Sequence, residues 1–384
     1  MVSRVDRGAV ANWWWTIDRS ILAACLMLMG LGVFLSFAAS PAIASRIGIA
    51  DSFHFVKLHI KYIVPAFVVM ITISFFSPYN VRRAAIVLLG VSLVLLVAVL
   101  VIGIEIKGSK RWISMLGVTI QPSEFMKPAF VVVSAWLFAQ HGEKNKIPGY
   151  TSAIALFIIT ATLLVREPDV GQTILITAAW GGLFFLAGIP WIVVLFFIAL
   201  AIFGGFGAYM LLHHVRERID AFLHGEGDTF QVDVGREAII NGGWFGQGPG
   251  EGTVKRIVPD AHTDFVFSVA AEEYGIILCV LIVALFGFIV IRSLYIASKE
   301  QDKFTCFAIA GIAMLFGVQS IINIAVNLHL MPPKGMTLPF ISYGGSSLVA
   351  IGITMGFLLA LTRKRPEARM SQYYSRMNLS KTVA

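Results

Sequence analysis

The side chain best placed for acid–base chemistry is Asp264, near the end of the stretch Pro259-Asp260-Ala261-His262-Thr263-Asp264-Phe265. It stands where the longest polar loop of an oily chain turns into an apolar run that holds two more acids, Glu272 and Glu273. A carboxylate at a membrane boundary is costly to desolvate, so it marks a candidate general base. Capping of the following helix is the competing role, and Thr263 beside Asp264 suits it as well.

The residues that could meet an anion fall into two groups. In the first, Lys107-Gly108-Ser109-Lys110-Arg111-Trp112 precedes Gln121-Pro122-Ser123-Glu124 and then Lys127. Lys110 and Arg111 read equally as solvated loop cations or as phosphate ligands. Glu124 and Lys127 share one helical face inside an apolar run, where a structural ion pair and a substrate clamp are equally open. The second group runs from Met331 to Ser347 and contains Pro332, Pro333, Lys334, Pro339, Ser342, Tyr343, Gly344, Gly345 and Ser346. Prolines, a lysine and paired glycines between apolar runs describe an irregular re-entrant segment, whose backbone N–H groups and hydroxyls suit an anion.

Other chemistry-bearing patterns fail on their context. The glycine-rich Asn241 to Gly252 lacks the Gly-Lys-Ser/Thr of a phosphate loop and the dinucleotide spacing, so it reads as a glycine-hinged loop packed over a cavity. His213, His214 and His224 have no neighbours that complete a metal shell. Cys25, Cys279 and Cys306 all lie in apolar runs and read as packing residues.

The elements that must position these groups are membrane spans. Of the 384 residues, 57% are hydrophobic and 14% charged, against roughly 25% charged in soluble domains. The net charge of +8 is scattered through short loops without a basic tract, which excludes nucleic acid and favours anionic membrane lipid or a phosphate-bearing lipid. Because about 20 residues cross a hydrocarbon core about 30 Å thick, ten spans are expected, near residues 20–40, 57–76, 84–106, 123–141, 151–166, 171–188, 191–212, 265–293, 304–330 and 346–362. The fifth and sixth are short enough to be tilted or broken. The expected architecture is therefore an all-α integral membrane protein. Residues 1–19 and 363–384 form cytoplasmic ends, 20–362 one polytopic domain, and 213–264 a large extracytoplasmic loop between spans seven and eight. A slight Lys/Arg excess on the side of the termini supports that orientation. The first span resembles a signal peptide but is long enough to cross uncleaved. Trp13, Trp14 and Trp15 fit an interfacial belt. Val215, Ile219, Phe222 and Leu223 form one helical stripe, so the start of the long loop should lie flat on the outer surface, carrying Arg218.

Several motifs taken together resemble the shape, elongation, division and sporulation (SEDS) family. They are Gln121-Pro122-Ser123-Glu124, Glu167-Pro168-Asp169-Val170-Gly171, Ala261-His262-Thr263-Asp264-Phe265 with Glu272-Glu273, and Pro333-Lys334-Gly335 leading into Leu338-Pro339-Phe340-Ile341-Ser342-Tyr343-Gly344-Gly345-Ser346-Ser347. Lys334-Gly335 before Leu338-Pro339 is closer to the division branch than to the elongation branch. The chain departs from the usual pattern at Arg166-Glu167, at Asp260 in place of Glu, and at Glu251-Gly252-Thr253. The resemblance implies ten transmembrane helices and a peptidoglycan glycosyltransferase that polymerises lipid II on the outer face of the inner (cytoplasmic) membrane, at the division septum. The implied partners are a class B penicillin-binding protein and other divisome membrane proteins, and the critical aspartate falls on Asp264.

A sugar carried on a lipid pyrophosphate already has a good leaving group, so one base and several cations suffice, without the paired carboxylates of a glycoside hydrolase. Asp264 is then the base that deprotonates the acceptor hydroxyl, giving inversion at the anomeric carbon. The cations would come from Lys110, Arg111, Arg218 and Lys334, and His262 and Thr263 would orient Asp264 or cap the helix. A divalent ion such as Mg2+ or Mn2+ bridging the pyrophosphate fits this chemistry, although no residue pattern names its site. Two rival readings are a lipid II flippase, which would carry its ionisable groups near mid-membrane, and a non-catalytic divisome scaffold, which would tolerate Asp264→Ala.

Overall fold

The computed structural model describes residues 8–106, 109–115, 117–140, 148–188, 230–333 and 335–364, with a few isolated positions between 189 and 229. Among them are eleven α-helices: α1 (Ala9–Thr16), α2 (Arg19–Arg46), α3 (His54–Ser74), α4 (Pro78–Ile102), α5 (Pro122–Ala139), α6 (Gly149–Arg166), α7 (Val170–Leu186), α8 (Phe230–Gly242), α9 (Val266–Ser298), α10 (Lys303–Asn327) and α11 (Ser346–Leu361). Six of them, α2, α3, α4, α6, α9 and α10, are long and apolar enough to cross a membrane, and α7 and α11 are shorter apolar helices. Nine of the ten expected runs coincide with a helix. The seventh, 191–212, lies mostly outside the described residues, and α6 and α7 are each unbroken.

Local chemistry sets the helix ends. Asp18, Asp169 and Asp302 accept hydrogen bonds from the first-turn N–H groups of α2, α7 and α10, and Ser77 with Pro78 starts α4. Asp18 also uses its second carboxylate oxygen to hold Arg292 of α9 at 2.8 Å. At the opposite end of the same two helices, Lys255 Nζ donates to the Ala38 carbonyl at 3.2 Å and pairs with Glu273. Both intervals, Asp18 to Ala38 and Glu273 to Arg292, span roughly 30 Å at about 1.5 Å per residue, the thickness of a hydrocarbon core. The two clamps thus lie about one hydrocarbon thickness apart, with exposed Phe34 and Phe37 between them.

Helix α5 is the hub, with 16 of its 18 residues buried and with α4, α6, α7, α10 and α11 packed around it. Where α3 meets α11, glycine permits contact: a β-carbon at Gly352 would stand 2.5 Å from the Ala66 carbonyl oxygen. Helix α11 has only 16 residues, about 24 Å long, so the irregular segment before it completes that crossing. Its buried Phe340 adopts φ 62° and sets its carbonyl against Gly32 of α2.

Three features depart from the expected reading. Residues 104–120 form a three-stranded antiparallel sheet, β1 (Ile104–Ile106), β2 (Ser109–Met115) and β3 (Val118–Ile120), pairing Glu105 with Lys110 and Ser114 with Thr119. Strands this short carry too little alternation to separate from loop or helix ends. Trp13 is buried, donating from its indole to Ser74 Oγ at 2.8 Å and stacking on Phe75, while Trp14 and Trp15 stay exposed beneath Arg19. The eighth span is broken at Gly275, φ 77°, where a β-carbon would lie 2.2 Å from the Trp244 carbonyl oxygen. Into that break the glycine-rich loop inserts: Gln247 and Gly248 donate to the Glu272 and Glu273 carbonyls, and Ile276 donates back to Gly243. Close backbone approach explains the glycines, and the cavity beside them is lined by Pro249 and Gly250.

Candidate active site

Alternating helix directions bring the starts of α5, α7, α9 and α11, the ends of α6 and α10, and the β-sheet to one face of the bundle, and the chemical motifs among the described residues lie there. Asp264 is half-buried in a turn built on Asp260. Asp260 takes φ 52°, a left-handed conformation that aspartate tolerates, and its carbonyl accepts from Thr263 N, Asp264 N and the Thr263 hydroxyl. Helix α9 begins at Val266 with Phe265 at its N-cap, a residue whose side chain makes no capping hydrogen bond. Instead Asn327 of α10 accepts from Ser268 N at 3.1 Å and Ser268 Oγ at 2.8 Å.

The aspartate is latched by two asparagines that the sequence reading missed. Asn323 and Asn327 both donate to the Asp264 carbonyl, at 3.0 and 2.9 Å, and Asn323 also donates to the Met336 carbonyl at 2.7 Å. Asp264 therefore faces the irregular segment; a β-carbon at Gly335 would lie 3.9 Å from its Oδ2, and Pro333 and Met336 share a small cleft with it. Lys334, between them, and Arg218 lie outside the described residues. Of the expected surface-lying stretch, Arg216 and Asp220 are described and pair at 3.5 Å. The signal for the latch was present: Gln319, Asn323 and Asn327 fall four apart, one polar stripe on an apolar helix.

That stripe continues into α5. Gln319 donates to the Thr337 carbonyl at 3.0 Å and accepts from Lys127 Nζ at 3.1 Å, and Lys127 pairs with Glu124 at 2.9 Å. Glu124 accepts from Gln172 of α7 at 2.6 Å. With exposures of 4% and 2%, Glu124 and Lys127 form a buried pair joining three helices. Ser342 Oγ accepts from Leu338 N, and Ser346 Oγ from Gln121 N at 3.2 Å, so both hydroxyls fasten the segment. Gly344 and Gly345 let it turn into α11, with Gly345 at φ 52°. Tyr343 N donates to the His262 carbonyl at 2.9 Å, its ring stacks on His262, and Phe55 of α3 meets both rings.

Lys110 and Arg111 are separated by strand alternation, which sends neighbours to opposite faces. Lys110 is exposed. Arg111 reaches the turn between α6 and α7, donating to the Glu167 carbonyl at 3.3 Å and to the Pro168 carbonyl and lying 3.7 Å from Asp169. Asp169 also accepts from Gln121 at 3.3 Å. Burial raises both acids of this turn. Glu167 reaches about 8 through burial and then Asp169, against the pull of Arg111, and Asp169 rises through burial while Arg111 opposes it. The adjacent pair is thus one solvated cation and one structural guanidinium. Among the described residues no three potential ligands converge on a metal position.

Comparison with known proteins agrees with this architecture. The family model described as "Cell cycle protein" (FTSW_RODA_SPOVE) matches residues 19–367. A Caulobacter vibrioides protein named "Probable peptidoglycan glycosyltransferase FtsW" is 49% identical over 369 residues, covering 95% of this chain and 94% of its own. One of the same name from Trichlorobacter lovleyi is 35% identical over 90% of this chain and 93% of its own. A chain from a structure of a peptidoglycan synthase complex superposes with TM-score 0.76 at 26% identity, over 90% of this chain and 97% of that one. The rod shape determining protein RodA of Thermus thermophilus does so with TM-score 0.66 at 25% identity, over 91% and 97%. The buried polar stripe, the latched aspartate and these matches lead to one conclusion: this chain belongs to the FtsW/RodA/SpoVE family of multi-pass membrane proteins.

Proposed function

We infer that this chain is a peptidoglycan glycosyltransferase, working in peptidoglycan synthesis and cell division, and that it polymerises lipid II with Asp264 as general base. The observation carrying the mechanism is the position of that acid. Asp264 is half-buried just before α9, in a small cleft shared with Pro333 and Met336, and its carbonyl is gripped by Asn323 and Asn327 at the end of α10, on the face where the motifs gather. A flippase would hold its working acid near mid-membrane, whereas a polymerase needs it at the mouth.

The acceptor hydroxyl gives its proton to Asp264 as its oxygen attacks the anomeric carbon of the donor. The bond from that carbon to the pyrophosphate oxygen breaks, the pyrophosphate leaves with the electron pair, and configuration inverts. Positive charge from Lys334 and Arg218 would stabilise the departing anion, with Lys110 as a solvated cation on the same face. Gln319, Lys127 and Glu124 hold the irregular segment at its height. This face lies outside the cell with both termini in the cytoplasm, the chain crosses the membrane ten times, and it works at the septum beside a class B penicillin-binding protein and other divisome proteins. The fold neighbour with TM-score 0.76 comes from a structure of a peptidoglycan synthase complex, which supports that kind of partner.

Purified protein with its transpeptidase partner, given labelled lipid II, should make glycan chains resolvable on a gel, and Asp264→Ala should abolish them while remaining folded and partner-bound. Wild-type chain formation by that variant would sink the mechanism. Leaflet-to-leaflet movement of lipid II without polymer would favour the flippase.

A further inference from the structure

A cavity of about 400 Å³ opens between the last turns of α2 and the N-terminal half of α9, away from the residues assigned to catalysis. Its walls divide by chemistry. Phe37 and Pro41 of α2 form the apolar side, and Ser45, Lys255 and Arg256 the polar side, with Glu273 behind. Lys255 is 5% exposed and already paired with Glu273, whereas Arg256 is exposed at the rim. Nearby Arg46, also exposed, donates to the Val258 carbonyl at 3.2 Å, bringing a second rim guanidinium to this corner.

Depth decides what such a cavity meets. It contains the Lys255–Glu273–Ala38 clamp, which lies one hydrocarbon thickness from the Asp18–Arg292 clamp and therefore at the level where lipid phosphates sit. Below it, Phe34 and Phe37 are 46% and 49% exposed and offer a surface for an acyl chain. The volume is too small for the disaccharide and peptide of the proposed substrate. The inserted glycine-rich loop holds Pro249 and Gly250 as the cavity's roof.

We propose that this cavity binds the head group of an anionic membrane phospholipid, its phosphate at Arg256 and Lys255 and its chain along Phe34 and Phe37. The site is separate from Asp264, and the proposal stands whether or not the base is correctly assigned.

The test uses the full chain, purified in detergent and delipidated, and native mass spectrometry with added phosphatidylglycerol or phosphatidylcholine. Arg256→Gln removes a rim cation and Ser45→Trp fills the mouth, and melting temperature reports the folding of each. Wild type should retain one phosphatidylglycerol in preference to phosphatidylcholine. Arg256→Gln should lower that preference about fivefold, as expected for one basic side chain at an anionic lipid, and Ser45→Trp should remove the bound lipid. Equal retention of the two lipids by wild type overturns the proposal, as does undiminished retention by either folded variant. Displacement by inorganic phosphate alone would show a soluble-anion site, and stoichiometric displacement by undecaprenyl phosphate would return the cavity to the substrate's lipid; either outcome rejects it.

Discussion

At the scale of residues, the site depends on amide side chains as much as on charges. Asn323 alone ties the Asp264 turn to Met336. Asn323→Ala leaves the Met336 carbonyl short of this donor while Asn327 still holds the Asp264 carbonyl, and an unsatisfied buried group costs about 1–3 kcal/mol. Thermal unfolding should show that loss, and chain synthesis should fall although Asp264 remains; unchanged values for both would remove the latch from the mechanism. Glu167 makes a second prediction. Its carboxyl rises from 4.5 to about 8, chiefly by burial, so between those values the folded protein keeps a proton that the unfolded chain has lost. The unfolded state then binds fewer protons, and this group's contribution to stability declines as pH rises through that window. Glu167→Gln should flatten the decline in melting temperature between pH 5 and 8. A parallel decline in wild type and variant would locate the titration elsewhere.

At the scale of elements, α5 carries a charge pair into the bundle and α10 receives it. Lys127 touches both Glu124 and Gln319. Removing one partner of a buried pair strands the other at about 3–5 kcal/mol, whereas replacing both with apolar or neutral groups is often tolerated. Lys127→Met should therefore lower the melting temperature sharply, and adding Glu124→Gln should recover most of it. Recovered stability with recovered polymerisation identifies a structural pair. Recovered stability without activity would instead make Lys127 a group that the substrate needs.

At the scale of the molecule, the two clamps lie about one hydrocarbon thickness apart, and the described chemical motifs gather at one end. Lys110 is exposed at that end, and Gln301, between α9 and α10, is exposed at the other. In cells with a permeabilised outer membrane, Lys110→Cys should react with an impermeant maleimide and Gln301→Cys should react only after lysis. The reverse pattern would overturn the outward orientation, and with it the access of Asp264 to an extracytoplasmic sugar.

Composition and run length alone determined that this is a helical, multi-pass membrane protein, because a hydrocarbon core selects for length and apolarity, both local properties. The same logic singled out Asp264, since a carboxylate beside an apolar run is conspicuous without any fold. Tertiary structure decided the rest. Strand alternation separated Lys110 from Arg111, although they are neighbours in sequence. The break at Gly275 exists for a loop that precedes it by about 30 residues. The latch on Asp264 comes from α10, dozens of positions away. Hydrogen bonds and close backbone approach depend on what lies across the bundle, and that is written in no single stretch of chain.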